Sequence, residues 1–255
     1  MATLRFIQLY TLLHRELTRI FRIWLQTIIP PTITTALYFM IFGHLIGNRI
    51  GSMGSLPYDQ FIAPGLIMMG MINNSFSNVA SSFFSEKFQH SIEELITSPV
   101  PYYIIVLGFI SGGIMRGLLV GCTITLVAEY FTHVTILHPF LLSLTAILTT
   151  CFFANLGMLN GLYANRFDDI AFIPTYILTP MIYLGGVFYT LDLLSPFWYQ
   201  VSLCNPILYL MQAFRSSMLD TASFPLPWIL GSVALLNILL MLLNIKLLRR
   251  YATLR

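Results

Sequence analysis

The sequence predicts an all-α membrane protein that crosses a bilayer six times, and three observations predict it. Of its 255 residues 57% are hydrophobic and only 9% charged, with a mean hydropathy of +0.79; an ordinary soluble domain carries about 25% charged residues. Apolar stretches long enough for a hydrocarbon core of about 30 Å, which takes about 20 helical residues, recur along the chain. The basic residues gather on alternate sides of those stretches, as the positive-inside rule describes.

The first element, residues 1–23, is of another kind. Phe6, Tyr10, Leu13, Leu17, Ile20 and Trp24 recur at spacings of three and four, with Gln8, Arg15, Arg19 and Arg22 opposite them. This is a basic amphipathic helix suited to the membrane interface, with its arginines toward anionic headgroups. It anchors the first span, or it also docks a cytoplasmic partner; both readings fit. No small-residue cleavage site follows an apolar segment, so the first span is expected to stay in the mature protein.

The spans are expected at 24–46, 61–84, 103–131, 139–164, 170–189 and 226–245, a bundle over 24–250 within a single domain, 1–255. The third carries Arg116 and Glu129. The stretch 193–214 is also free of charge, but Pro196 and Pro206 divide it, with Ser195, Gln200, Ser202, Asn205 and Gln212 around them. A straight lipid-exposed helix is a poor fit there; the segment 191–225 reads as short external re-entrant or interfacial helices. Arg5, Arg15, Arg19, Arg22, Lys87, Arg166, Lys246, Arg249, Arg250 and Arg255 then share one side, and Arg49 and Arg215 take the other. Both termini are expected in the cytoplasm.

The chemistry-bearing residues are few. Lys87 and Lys246 are the only lysines, and neither lies in a phosphate-binding loop, so nucleotide binding of that kind is not expected of this chain. No H-E-x-x-H, no G-x-S-x-G and no paired carboxylates occur within the spans. Cys122, Cys151 and Cys204 stand apart, which suggests neither a metal nor a redox site.

Between the second and third spans, residues 85–101 read SEKFQHSIEELITSPVP. Phe88, Ile92 and Leu95 or Ile96 share one face of a short helix, Glu86, Lys87, Gln89, Glu93 and Glu94 lie on the others, and Ser98 followed by Pro99 ends it. Such a helix can carry a partner's motion into the membrane or cap its own bundle. In the second span Asn74, Asn78, Ser81, Ser82 and Ser85 form a polar stripe, with Asn73 and Ser77 beside it. It either bonds helices together or lines a translocation path. Arg116 at a bilayer centre costs about 2.5 to 3.5 kcal/mol, so it is expected to be paired or near an interface. Glu129 lies about 20 Å farther along the same helix and cannot be that partner. Gly108, Gly112, Gly113, Gly117 and Gly121 on this span permit close helix approach.

The order of these features resembles the membrane subunit of a type-2 ABC exporter over nearly the whole chain. The resemblance rests on the basic amphipathic start, QTIIPPTITTALYFMIFG, FQHSIEELITSPVPYYIIVLGFISGGIMRG and MIYLGGVFYTLDLLSPFWYQVSLCNPILYLMQAFR. It implies six spans per subunit, a second permease copy and a separate pair of ATPase subunits that bind the ATP and Mg. It implies that residues 86–95 are the coupling helix, with Glu86, Lys87, Phe88, Gln89, Ser91, Ile92, Glu93, Glu94 and Leu95 toward the ATPase. Asn73, Asn74, Asn78 and Ser81 become candidates for the path, and Arg116, Asn205 and Pro206 for structural or gating roles, Asn205 and Pro206 within an external element near the outer gate. The bacterial inner membrane is the expected location, lipid the expected surroundings, and nucleic acid is not an expected partner. Two other classes weigh against this one: an ion-gradient transporter, which usually needs ionisable groups near the midplane, and a lipid-modifying enzyme using His133 and His138, which have no companion carboxylate.

Overall fold

The computed structural model describes residues 2–53, 56–134, 136–219 and 225–253. Part of the expected external segment, 220–224, and the C-terminal Arg255 lie outside them. The chain opens with α1 (Ala2–Arg22), which breaks at Ile23 (φ −111°, ψ 28°), and α2 (Trp24–Tyr38) resumes. Pro30 and Pro31 lie inside α2, and a π-helical stretch, Phe39–Ile46, and the short α3 (Gly47–Ile50) prolong it. Gly51, at φ +77°, turns the chain into two paired two-residue strands, β1 (Ser52–Met53) and β2 (Leu56–Pro57).

Next come α4 (Tyr58–Phe88), the short α5 (Ser91–Thr97), α6 (Tyr102–Thr132) and α7 (Pro139–Tyr163). His90 stands in the left-handed region at φ 59° and separates α4 from α5; Ser98, extended as a residue before proline must be, ends α5. The next helical course joins α8 (Phe167–Ile173), a π-helical turn (Pro174–Leu178) and α9 (Thr179–Leu184). Pro174 and Pro180 lack the N–H that a regular ladder needs, and the wider turn absorbs the loss. Beyond a 3-10 turn, Leu191–Leu193, lie α10 (Pro196–Leu203), α11 (Pro206–Leu219) and α12 (Leu226–Thr253).

The all-helical class is thus seen, apart from the two short strands. Among the described residues four helical stretches are long and apolar enough to cross a membrane: Trp24–Gly43, Tyr102–Thr132, Pro139–Tyr163 and Leu226–Thr253. The helix α4 is long as well, and its asparagines and serines lower its hydropathy. The course expected at 170–189 runs instead over 167–184, because Gly185 and Gly186, the latter at φ +79°, release the chain there.

The centre of the molecule is the packing of α4 against α6 and α7. Backbones come close because glycines leave room. A Cβ on Gly157 of α7 would strike the Phe76 carbonyl of α4, one on Gly117 of α6 would strike the Ser75 hydroxyl, and one on Gly113 would strike Val79. On the other flank of α7, Asn244 of α12 donates to Asn155 Oδ1 (3.1 Å), and Asn237 Nδ2 donates to the Leu148 carbonyl (3.0 Å). These two asparagines stand seven residues apart on one buried face of α12, so the pair holds the helices in register without a charge.

Two outcomes follow. Gly157→Ala should lower thermal stability in detergent by about 1–3 kcal/mol, since a backbone carbonyl cannot swing away. Gly231→Ala, which meets nothing within 4 Å, should leave stability unchanged or raise it by up to about 1 kcal/mol. At the start of α8, ahead of the expected fifth span, Asp169 Oδ2 accepts from the backbone N–H of Asn165 (2.8 Å) and of Arg166 (2.9 Å). Those bonds hold its carboxyl below the usual carboxylate range. A depressed carboxyl stabilises above its ordinary pKa and ceases to do so as pH falls through the lowered value. The protection factors of the Asn165 and Arg166 amides, referred to the intrinsic exchange rate at each pH, should therefore hold at neutral pH and fall only below the ordinary carboxylate range, and Asp169→Asn should abolish that step.

Candidate functional site

The helix α1 lies lengthwise on α6. Leu12 packs on Gly108 and Glu16 on Gly112, where a Cβ would come within 2.9 Å of each side chain. Both pairs step by four residues, so the two helices run parallel. The face that packs is Leu12, Glu16 and Ile20, all buried, while Phe6, Tyr10 and Trp24 of the expected apolar face are exposed. This corrects the expectation that the α1 arginines all point to headgroups, because Glu16 draws two of them inward.

Glu16 is 1% exposed. Its Oε2 accepts from Arg19 Nη2 at 2.9 Å, its Oε1 accepts from the Ser82 hydroxyl at 2.9 Å, and Arg15 stands 3.8 Å away. Arg15 goes on to pair with Glu86 at the end of α4, at 2.7 Å. Burial pushes the Glu86 carboxyl above the usual carboxylate range, against the pull of Arg15. Arg19 also donates to Asn78 Oδ1 (2.8 Å), which receives Arg116 Nη1 at 3.4 Å. At the start of α1, Gln8 donates to the Pro99 carbonyl just beyond α5 (3.1 Å). The polar stripe of α4 therefore divides. Asn78 and Ser82 enter this cluster, while Asn73, Asn74 and Ser81 bond back to the carbonyls of Met69, Gly70 and Asn78 in their own helix.

The loop between α4 and α6 is not one helix over 86–95. Glu86, Lys87 and Phe88 complete α4, Gln89 and the left-handed His90 make the turn, and only Ser91, Ile92, Glu93, Glu94 and Leu95 of the expected set lie in α5. Lys87 donates to the carbonyls of Leu162 and Ala164, both at 2.7 Å, and so neutralises the C-terminal end of α7. Ser91 bonds back to the Glu86 carbonyl, and Glu93 meets His90 Nδ1 at 3.0 Å. Ile92 is wholly buried among Val79, Phe83 and Phe109 and their neighbours, so it faces inward and not toward a partner. Phe88, Gln89, His90, Glu94 and Thr97 form the exposed side of the turn.

Just before α11, Asn205 accepts from the Ile207 N–H at 3.0 Å and donates to the Met181 carbonyl at 2.6 Å, which fixes the N-terminus of α11 against α9, with Pro206 as its first residue. Arg215, expected among the few basic residues of the far side, is 3% exposed; it donates to the Gly186 carbonyl (2.7 Å) and lies 4.0 Å above the Phe61 ring. An apolar cavity of about 340 Å³ opens between α4, α7, the 167–184 course and the start of α11, lined by residues such as Phe76, Phe152, Ile177 and Ile207. Sequence reasoning passed over Glu16 and assigned Arg215 a side of the membrane but no contact. A signal for Glu16 was present: it is the only acidic residue before Asp59, and it sits three residues from Arg19.

Residues 7–219 match the family model described as ABC-2 type transporter. The chain is 45% identical over 255 residues to a protein of Escherichia coli (strain K12) called Inner membrane transport permease YadH, covering 100% of both chains. It is 26% identical over 218 residues to Nodulation protein J of Sinorhizobium fredii (strain NBRC 101917 / NGR234), covering 85% of this chain and 82% of that one. Nodulation protein J of Rhizobium leguminosarum bv. viciae is 25% identical over 230 residues, covering 89% and 88%.

Removing one member of a buried ion pair strands the other. Glu16→Ala should cost about 3–5 kcal/mol in thermal unfolding of the purified protein. Arg15→Ala, at a side chain that is 43% exposed, should cost less than about 1 kcal/mol.

Proposed function

From the premise that this chain belongs to the ABC-2 type transporter family, we propose that it is the membrane subunit of an ATP-driven exporter. A separate ATPase binds ATP and Mg and supplies the motion; two copies of this chain form the path between them. The four long apolar helices, together with α4 and the 167–184 course, make six crossings. The basic residues put both termini and α5 on the cytoplasmic side of the inner membrane, and α10 and α11 form the external re-entrant element, positioned by Asn205 and Pro206.

One observation carries the reading: α5 and the turn before it are joined without slack to two long helices. Ile92 is fully buried beneath α5, Lys87 ties the turn to α7, and Gln8 ties α1 to the residue after Ser98. A push on such a turn moves α4, α6 and α1 together. The residues offered to an ATPase are Phe88, Gln89 and Glu94, with Glu93 beside them; Ser91, Ile92, Leu95, Glu86 and Lys87 hold the turn to the bundle. Asn73, Asn74 and Ser81 are half-buried along α4 and suit the flank of a path between subunits, whereas Asn78 and Arg116 serve the ion-pair cluster.

Replacing Glu93 and Glu94 by arginine together with Phe88→Ala should reduce the ATPase recovered with the purified permease at least about tenfold, a loss of about 1.4 kcal/mol or more, with the fold intact by thermal unfolding. Unchanged recovery and unchanged transport-coupled ATP hydrolysis would refute the coupling assignment. Transport that resists ATP depletion but stops with an uncoupler would instead make this an ion-gradient transporter.

A further inference from the structure

The cluster beneath α1 holds one positive charge more than its own carboxylates can match. Arg15, Arg19 and Arg116 bring three guanidinium groups; Glu16 and Glu86 bring two carboxylates, and these are taken by Arg19 and Arg15. Among the described residues Arg116 has no carboxylate within ion-pair distance. Its one hydrogen bond, at 3.4 Å, goes to Asn78 Oδ1, an oxygen that Arg19 already occupies at 2.8 Å.

The unpaired buried atoms at this point are Arg19 Nε, Arg116 Nε, Asn78 Nδ2 and, one turn away on α4 beside Gly117, the Ser75 hydroxyl. The first three are N–H donors, and the hydroxyl is a neutral group that both donates and accepts. Glu86 Oε2 is an unpaired acceptor, but Glu86 lies two helical turns farther along α4, about 12 Å from Asn78. The same small volume thus holds more unpaired donors than acceptors and lacks a negative charge. A water molecule offers acceptors without the charge; an oxyanion offers both, and guanidinium forks fit phosphate oxygens two at a time.

We propose that Arg19, Asn78 and Arg116 form a binding site for the phosphate of an anionic membrane phospholipid. Depth and access support that source. With 31 residues, α6 is about 46 Å long, about 16 Å more than a hydrocarbon core. If the exposed Tyr130 marks the interface at one end, Arg116 lies about 21 Å away, in the half of the bilayer nearer α5, from where a long arginine reaches toward headgroups. Met115 is exposed beside it, and the Arg19 side chain is 34% exposed, so the site opens to the flank of the bundle next to α1. Close by in the chain Phe21, Trp24 and Leu25 are exposed, apolar surface that acyl chains can cover. The proposal does not depend on the ATPase reading.

The test uses the full-length protein in nanodiscs of phosphatidylcholine alone or with added phosphatidylglycerol, read by the midpoint of thermal unfolding and by native mass spectrometry of retained lipid. Phosphatidylglycerol should raise the midpoint by several degrees in the unsubstituted protein. The rise should persist in Arg250→Gln, which controls for the basic end of α12, and vanish in Arg116→Gln together with one retained anionic lipid. Arg116→Lys keeps the charge without the fork and should show a reduced rise, so an undiminished one counts against the site. Inorganic phosphate producing the same Arg116-dependent rise in phosphatidylcholine discs would keep the site and assign it a soluble oxyanion. Equal rises in the unsubstituted protein and Arg116→Gln, or no rise in either lipid or phosphate, would overturn the proposal.

Discussion

A backbone surrounded by lipid has no water to bond, so its helices must satisfy themselves internally and associate by fit and by a few polar side chains. In this chain the fit is decided where Gly157 meets the carbonyl of Phe76 and where Gly113 and Gly117 meet the same stretch of α4. Three helices brought that close leave little freedom for their neighbours. The asparagines of α12 can reach Asn155 and the Leu148 carbonyl only because α7 is already fixed, and α11 is seated on α4 with the Arg215 guanidinium over Phe61. A change at the glycine contacts would therefore be felt at sites that contain no glycine.

The same closeness explains how a carboxylate comes to be buried in so apolar a protein. Glu16 occupies the space that Gly112 leaves, with Ser82 and Arg19 completing its bonds. Isolated, such a charge would be expensive; paired and hydrogen-bonded, it locks a register. With Leu12 on Gly108 and Arg19 on Asn78 the helix α1 has contacts at three successive levels. Sliding it by one turn would place Leu12 or Ile20 against Ser82 and take the Ser82 hydroxyl from Glu16, so α1 has one favoured position.

Hydropathy made the long helices legible, and helical periodicity made α1 legible as a helix over nearly its observed length. The packed face of α1 was not legible in the same way. Amphipathic reasoning gives an apolar stripe for the membrane interface and says nothing of Glu16, whereas the bundle accepts Leu12, Glu16 and, from that stripe, Ile20, because glycines some 95 positions downstream give Leu12 and Glu16 room. The loop helix failed at its boundary for a local reason: no composition signal announces that His90 adopts φ 59°, and without that turn Glu86, Lys87 and Phe88 read as the start of the loop helix and not as the end of α4. The partner of Arg116 was hidden by sequence distance, since Asn78 belongs to another helix. The asparagines at 237 and 244, by contrast, share a helical face by their spacing of seven, a signal that was available in the sequence.

These contacts bear on how force would travel through the proposed subunit. The helix α1 touches the end of the loop through Gln8, the end of α4 through Arg15, and the middle of α4 through Glu16 and Arg19. A displacement of α5 cannot then be absorbed by bending the last turn of α4 alone, because α1 splints α4 at Asn78, Ser82 and Glu86, four residues to either side of Ser82. Packed interiors shift between discrete arrangements and do not deform smoothly, so the splint favours motion of α1, α4 and the first half of α6 as one body. On this argument α1 is part of the moving machinery and more than an anchor, and its polar face matters because it grips the protein as well as the membrane surface.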